Sequence, residues 1–395
     1  MKMWIYILRR VLLMIPVIIG VMTVTFVLVY FIPTAEKLLA YYGPSRVGYN
    51  PNVSCQALGI TASPGALCPN PAYYHGIAAL GLNQPVYIQW GRYIYNSLTL
   101  NWGVTDTGSH ASSALGLTGS LPVTTVLSYL LPYTLELSAL SLTLILLLAI
   151  PLGNYSAVYR NRPIDQGARV MSFSGFAIPG FLLGSLLLMG VAAVSTGVTC
   201  GSTSDAYNTW FGSWGPPSCF PSSHYPTWVG SHFQTSPTGF ITVDAIIHGD
   251  WSEAVDSVRR MLLPAFVIAF GSIAAILRFV RNSMLEVMNL DFVRTARAKG
   301  VPESQVVRRH AGRNSLNVTV TVLGLTFAGF IGGFPIIEYV FGLKGVGLAL
   351  AYSIQPTFDF GLIFGSTLLF TIIVVIANIV VDILYAYLDP RVRLG

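Results

Sequence analysis

The side chains with most to offer chemically crowd into one short stretch. Eight of the 22 Lys and Arg residues lie between Arg278 and Arg313. Around Gly300-Val301-Pro302 this stretch reads as two short helices separated by a break. Gly300 suits the left-handed position that closes a helix. Pro302 and Glu303 suit the first turn of the next, where a carboxylate meets the positive end of the helix dipole. Phe292, Ala296 and Lys299 recur at i, i+4 and i+7, and Val306, Val307 and His310 share a face of the second helix. Guanidinium groups beside an apolar stripe make and break no bonds; they bind. A basic, amphipathic helix–break–helix suits a groove on a partner. A loop that merely obeys positive-inside bias would explain the charge, but neither the stripe nor the break.

The other reactive types are sparse. The six His are scattered singly, and the chain contains no HExxH, GxSxG or GxxxxGK[ST], so neither a zinc hydrolase, a serine hydrolase nor a P-loop nucleotide site is expected. An enzyme and a resident metal are therefore not expected. Cys55, Cys68, Cys200 and Cys219 are the only cysteines. Pairs 55–68 and 200–219 are the favoured disulfides because each closes a short local loop, with free thiols the alternative. Of the acids, only Glu136 and Asp382 fall inside apolar runs. Glu136 either lines a pore or pairs helices. One mid-membrane acid makes a poor proton relay, which counts against the competing class, an ion-coupled carrier.

The elements that must position these groups are membrane helices. Charged residues make up only 10% of the 395 residues and hydrophobic ones 53%, with mean hydropathy +0.63; soluble domains carry about 25% charge. Six apolar runs approach the roughly 20 residues that cross a bilayer core: Val11–Ile32, Val126–Ile150, Val170–Ser195, Met261–Leu277, Leu316–Phe334 and Phe360–Ala386. The first follows Arg9-Arg10 but is too long for a signal-peptide core, so it reads as a retained span. With the N-terminus inside, 16 of the 22 basic residues fall on the cytoplasmic side, which predicts two cytoplasmic termini. The net charge of +6 then records topology and requires no nucleic acid. Residues 1–32 form the N-terminus and first span, and 33–125 an extracytoplasmic region. Residues 126–195 hold spans two and three, and 196–260 a second extracytoplasmic region. Residues 261–395 hold spans four to six, with the cytoplasmic loop 281–316. Both outer regions are rich in Gly, Pro, Ser and Thr and read as loops. Pro179-Gly180 either breaks the third span or kinks it. Gly324, Ala328 and Gly332, and Gly329 with Gly333, have the small-residue spacing that lets helices approach closely in lipid.

Several segments then resemble one family in order along the chain. Arg294-Thr-Ala-Arg-Ala-Lys-Gly300 with Arg309-His-Ala-Gly-Arg-Asn314 resembles the "EAA" coupling loop of ABC-transporter permeases. Gly81-Leu-Asn-Gln-Pro-Val-Tyr-Ile-Gln89, Leu131–Leu137, Ile178–Phe181, Ile337–Gly342 with Gly345-Val-Gly347, and Val381–Arg393 are similar to motifs of the dipeptide/oligopeptide B-type subunits. Val318 and Lys344 depart from prolines usual there, and about 43–71 and 201–256 look like insertions. The resemblance implies an all-α, polytopic, six-helix permease of the type I ABC importers, in a prokaryotic cell membrane. It would have lipid as its solvent, a second homologous permease, two ATPase subunits holding ATP and Mg, and an extracytoplasmic binding protein. The cargo would be di- or oligopeptides, with oligosaccharides or nickel as alternatives. It assigns ATPase coupling to Phe292, Arg294, Thr295, Ala296, Arg297, Ala298, Lys299, Gly300, Val306 and His310. Glu136, Pro179, Gly329 and Gly333 are its pore candidates.

Overall fold

The computed structural model describes residues 3–43, 47–117, 119–194, 238–312, 314, 315, 323, 326, 329, 330, 334–354 and 358–388. A backbone in lipid must satisfy its own polar groups, so apolar runs become helices. Four described helices are long and apolar enough to cross a membrane, with up to two more if each bent pair counts as one span. The four are α1 (Met3–Tyr30), α6 (Val123–Val158), α10 (Trp251–Met288) and α15 (Phe360–Leu388). The second and fourth spans outrun the apolar stretches that announced them. α10 has 38 residues, because Arg259, Arg260, Arg278 and Arg281 end the apolar run without interrupting helical hydrogen bonding. The expected fifth span, Leu316–Phe334, lies largely outside the described residues, and so do Gly324, Ala328, Gly332 and Gly333.

The third span is two helices, not one. α7 (Pro163–Ala177) and α8 (Gly180–Val194) meet at 105°. Ile178 is extended (φ −96°, ψ 115°), as expected of a residue preceding proline, and Pro179 has no N–H to continue the ladder. Of the two sequence alternatives, the break is what forms.

The chain divides into two compact units, 1–3 with 132–343 and 377–395, and 4–131 with 344–376. In the first, α10 packs against α7, α8 and α9 (Ile241–Ile247). Leu137 and Ile145 of α6, Ala168 of α7 and Ile273, Ile276 and Leu277 of α10 share its buried core. Small residues permit the approach. A Cβ added at Gly175 would collide with the Cβ of Ala274, and one at Gly153 would lie 2.7 Å from Val280. α13 (Pro335–Phe341) packs on α8 and buries Ile337 and Phe341.

In the second unit the expected outer loop 33–125 is substantially structured, which corrects the loop reading. It holds α2 (Thr34–Tyr42), a hairpin of β1 (Asn52–Ser54) and β2 (Leu67–Pro69), α3 (Pro71–Leu80), α4 (Val86–Leu98) and α5 (His110–Leu115). Its Pro and polar residues serve as helix starts: Pro33 and Pro85 at N-caps, Asn70 accepting from the Ala72 N–H, and Ser109 accepting from the Ser112 N–H. The Cys55–Cys68 disulfide closes the hairpin; Cys200 and Cys219 lie outside the described residues. α14 (Val346–Ser353) packs on α5. Met22 and Phe26 of α1 bury against Tyr93 of α4 and Leu368 of α15. Asp359, 1% exposed, starts α15 by accepting from the Leu362 N–H at 3.0 Å, and also accepts from the Asp106 N–H and Ser109 Oγ.

Candidate functional site

The basic stretch folds as a docked loop at the end of α10. After Asn289-Leu290, α11 (Asp291–Ala298) begins with Asp291 in its first turn, where its charge suits the dipole. It ends in a Schellman arrangement. The Gly300 N–H donates to the Arg297 carbonyl at 2.9 Å and the Val301 N–H to that of Ala296 at 3.2 Å, with Gly300 at φ +78°. A side chain at that φ would be strained, so glycine is required there. Pro302 stands one position earlier than expected, at the N-cap rather than inside the first turn of α12 (Glu303–Gln305). The chain then widens into a π-helical turn over Val306–Ala311. Arg297 spans the break as a fork: Nε donates to Glu303 Oε2 at 3.0 Å and Nη2 to Oε1 at 2.6 Å. The guanidinium holds the Glu303 carboxyl below its usual range.

Burial sorts the predicted coupling residues into two sets. Val293, Ala296, Val306 and Ala311 turn inward and bury with Met284 of α10 and Ala157 of α6. The stripe read as Phe292–Ala296–Lys299 is therefore split, because Ala296 is 7% exposed while Phe292 is 40% exposed. Val306 is fully buried, and Val307 and His310 are half-buried. Facing outward are Phe292, Arg294, Thr295, Arg297, Ala298, Lys299 and Gly300. Periodicity alone could not tell which apolar residues would be claimed by α10, since Met284 has its own place in the sequence well before the stripe. Ser283 adds a polar tie, donating from Oγ to the Ser315 carbonyl at 3.0 Å. An outward basic surface with its inner face bolted to a long helix can receive a partner's motion and pass it into that helix.

The pore candidates are not brought together with this loop. Glu136 of α6 accepts from the Thr242 N–H at 3.0 Å through Oε1, at the start of α9. Its Oε2 is buried without a hydrogen-bond partner among the described residues. Pro179 is exposed at the α7–α8 break, and an added Cβ at Gly329 would meet open space. Gly333 lies outside the described residues.

Two charged sites escaped the sequence reading. Glu338 of α13, 1% exposed, accepts from Thr134 Oγ1 of α6 at 2.9 Å; it sits beyond the fifth apolar run, and only its place in a family-like motif marked it. Asp165, at the start of α7, is fully buried. It accepts from Arg281 Nε at 2.6 Å and Nη2 at 3.2 Å, Arg169 Nη2 at 2.6 Å, Ser156 Oγ at 2.7 Å and the Asn161 N–H at 2.9 Å. It thereby ties α6, α7 and α10 together beside the loop. Among the described residues no group of three or more His, Cys, Asp or Glu could hold a metal ion.

Residues 149–394 match the model of the binding-protein-dependent transport system inner membrane component. The chain is 33% identical over 319 residues to the probable D,D-dipeptide transport system permease protein DdpB of Escherichia coli (strain K12), covering 80% of this chain and 83% of that protein. It is 30% identical to the oligopeptide transport system permease protein AppB of Bacillus subtilis (strain 168), covering 98% and 99%. It is also 30% identical to the dipeptide transport system permease protein DppB of Escherichia coli (strain K12), covering 98% of each.

Proposed function

The chain belongs to the binding-protein-dependent transport system inner membrane components, and from that premise we propose that it forms half of a transmembrane pathway for di- or oligopeptides. It is a permease subunit of an ABC importer, a multi-pass membrane protein that works with permease and ATPase subunits and a binding protein and is not itself the ATPase. The finer assignment is our own: one second, homologous permease, two ATPases that hold ATP and Mg²⁺, an extracytoplasmic binding protein, and both termini in the cytoplasm. The distribution of Lys and Arg supports that orientation. The peptide cargo follows the relatives, whose names are dipeptide, oligopeptide and D,D-dipeptide permeases.

One observation supports the coupling role above the others. Val293, Ala296 and Val306 seat the loop on Met284, near the end of α10, while Thr295, Ala298 and Lys299 remain outward. Movement of an ATPase against the outward face is then transmitted to α10, which packs on α7, α8 and α9. The test is uptake into proteoliposomes that hold this chain with its partner permease, ATPases and binding protein. Labelled di- or oligopeptide should accumulate only with ATP and the binding protein, and Glu136→Gln should retain that ATP dependence. Accumulation driven by a proton gradient without ATP, or transport of an oligosaccharide or Ni²⁺ in preference to peptide, would overturn the reading.

A further inference from the structure

Beside the loop, within the first unit, the turn after α6, the middle and end of α7 and the C-terminal part of α10 line a cleft of about 400 Å³, a size typical of small-ligand sites. Four guanidinium groups line it: Arg160, Arg169, Arg278 and Arg281. None of the lining residues is acidic. Asp165 lies behind the wall and engages two of the four, Arg281 through both oxygens and Arg169 through one. This holds those two arginines in place. The side chains of Arg160 and Arg278 have no hydrogen-bond or ion-pair partner among the described residues. Four cations against one carboxylate leave a strong surplus of positive charge at a site open to solvent.

The apolar side of the cleft tells a phosphate-bearing lipid from a soluble anion. Along α7, Arg169 is followed at i+4 and i+7 by Phe173 and Phe176, which line the same cleft and are 71% and 64% exposed. Charge at one end of a helical stripe and bare aromatic rings at the other match an amphiphile with an anionic head. We propose that this cleft binds an anionic phospholipid, with its phosphate among the four arginines and an acyl chain along Phe173 and Phe176. Free phosphate shares the guanidinium chemistry, but it would leave both rings bare. The proposal rests on the cytoplasmic placement of residues 159–162, the side on which anionic headgroups attract basic segments.

The assembled transporter in nanodiscs of mixed phosphatidylglycerol and phosphatidylcholine provides the test. Bound lipid is counted by native mass spectrometry, and thermal stability is measured with added phosphatidylglycerol, phosphatidylcholine or inorganic phosphate. The wild type should retain phosphatidylglycerol selectively and be stabilised by it alone. The double variant Arg160→Gln/Arg278→Gln, which leaves the Asp165 contacts intact, should bind it about thirtyfold more weakly with unchanged phosphatidylcholine retention. Equal phosphatidylglycerol retention by the variant would overturn the proposal. So would stabilisation by inorganic phosphate as strong as by the lipid, since the site would then be one for a free anion. Thiol labelling of Asn161→Cys from either side reads the orientation separately: labelling from outside refutes the topology, whatever the lipid count shows.

Discussion

Asp165 carries more interactions than any other acid described, and removing its charge isolates their worth. In Asp165→Asn the Arg281 guanidinium, only 15% exposed, loses its counter-charge, whereas Arg169, 47% exposed, can turn to water. Breaking one side of a buried pair costs about 3–5 kcal/mol. Asp165→Asn should therefore lower the thermal midpoint of the purified complex by several degrees or more, while Arg169→Gln changes it little; equal effects of the two would show that the Arg281 bond is not the main contributor. Legibility at this scale followed sequence distance. Gly300 and the Cys55–Cys68 pair were readable because their partners lie within 13 residues. Asp165, Glu338 and Asp359 each also reach a partner 116, 204 and 253 residues away respectively, and no local pattern marks those long-range bonds.

Among the elements, hydropathy located the spans and missed their ends. An apolar run reports lipid depth, while hydrogen bonding continues past it, so α10 extends well beyond Met261–Leu277 on both sides. The break at Ile178-Pro179 was visible as proline chemistry, but its 105° turn depends on how α7 and α8 pack. Helices in 33–125 were concealed by their short length and by caps rich in Pro, Ser and Asn, which from composition alone look like loop. Contact between α7 and α10 relies on Gly175, where a side chain would meet the Cβ of Ala274 and the Phe270 carbonyl. Overpacking of this kind costs about 1–3 kcal/mol. Gly175→Val should reduce the yield of folded protein and its thermal midpoint, while Gly167→Ala, inside α7 with open space at its Cβ, should leave the yield unchanged and the midpoint equal or slightly higher. A well-folded Gly175→Val protein of wild-type stability would refute the close packing.

For the whole molecule, composition was enough to exclude a soluble protein, and six family-like motifs pointed to a permease, a family assignment the matches now carry. What the sequence could not reveal was which side of the basic loop faces away from its own chain. That depended on Met284 and Ala157 claiming Val293, Ala296 and Val306. The central claim is that the remaining, outward side docks against an ATPase and that α10 receives its motion. Single cysteines in the assembled, transport-competent complex test it most directly. Lys299→Cys, on the exposed face, should cross-link to the ATPase with a short bifunctional reagent and thereby block ATP-dependent uptake, while Val293→Cys, fully buried, should do neither. A complex that still transports but yields no cross-link at Lys299→Cys, or one that cross-links and goes on transporting, would contradict the account.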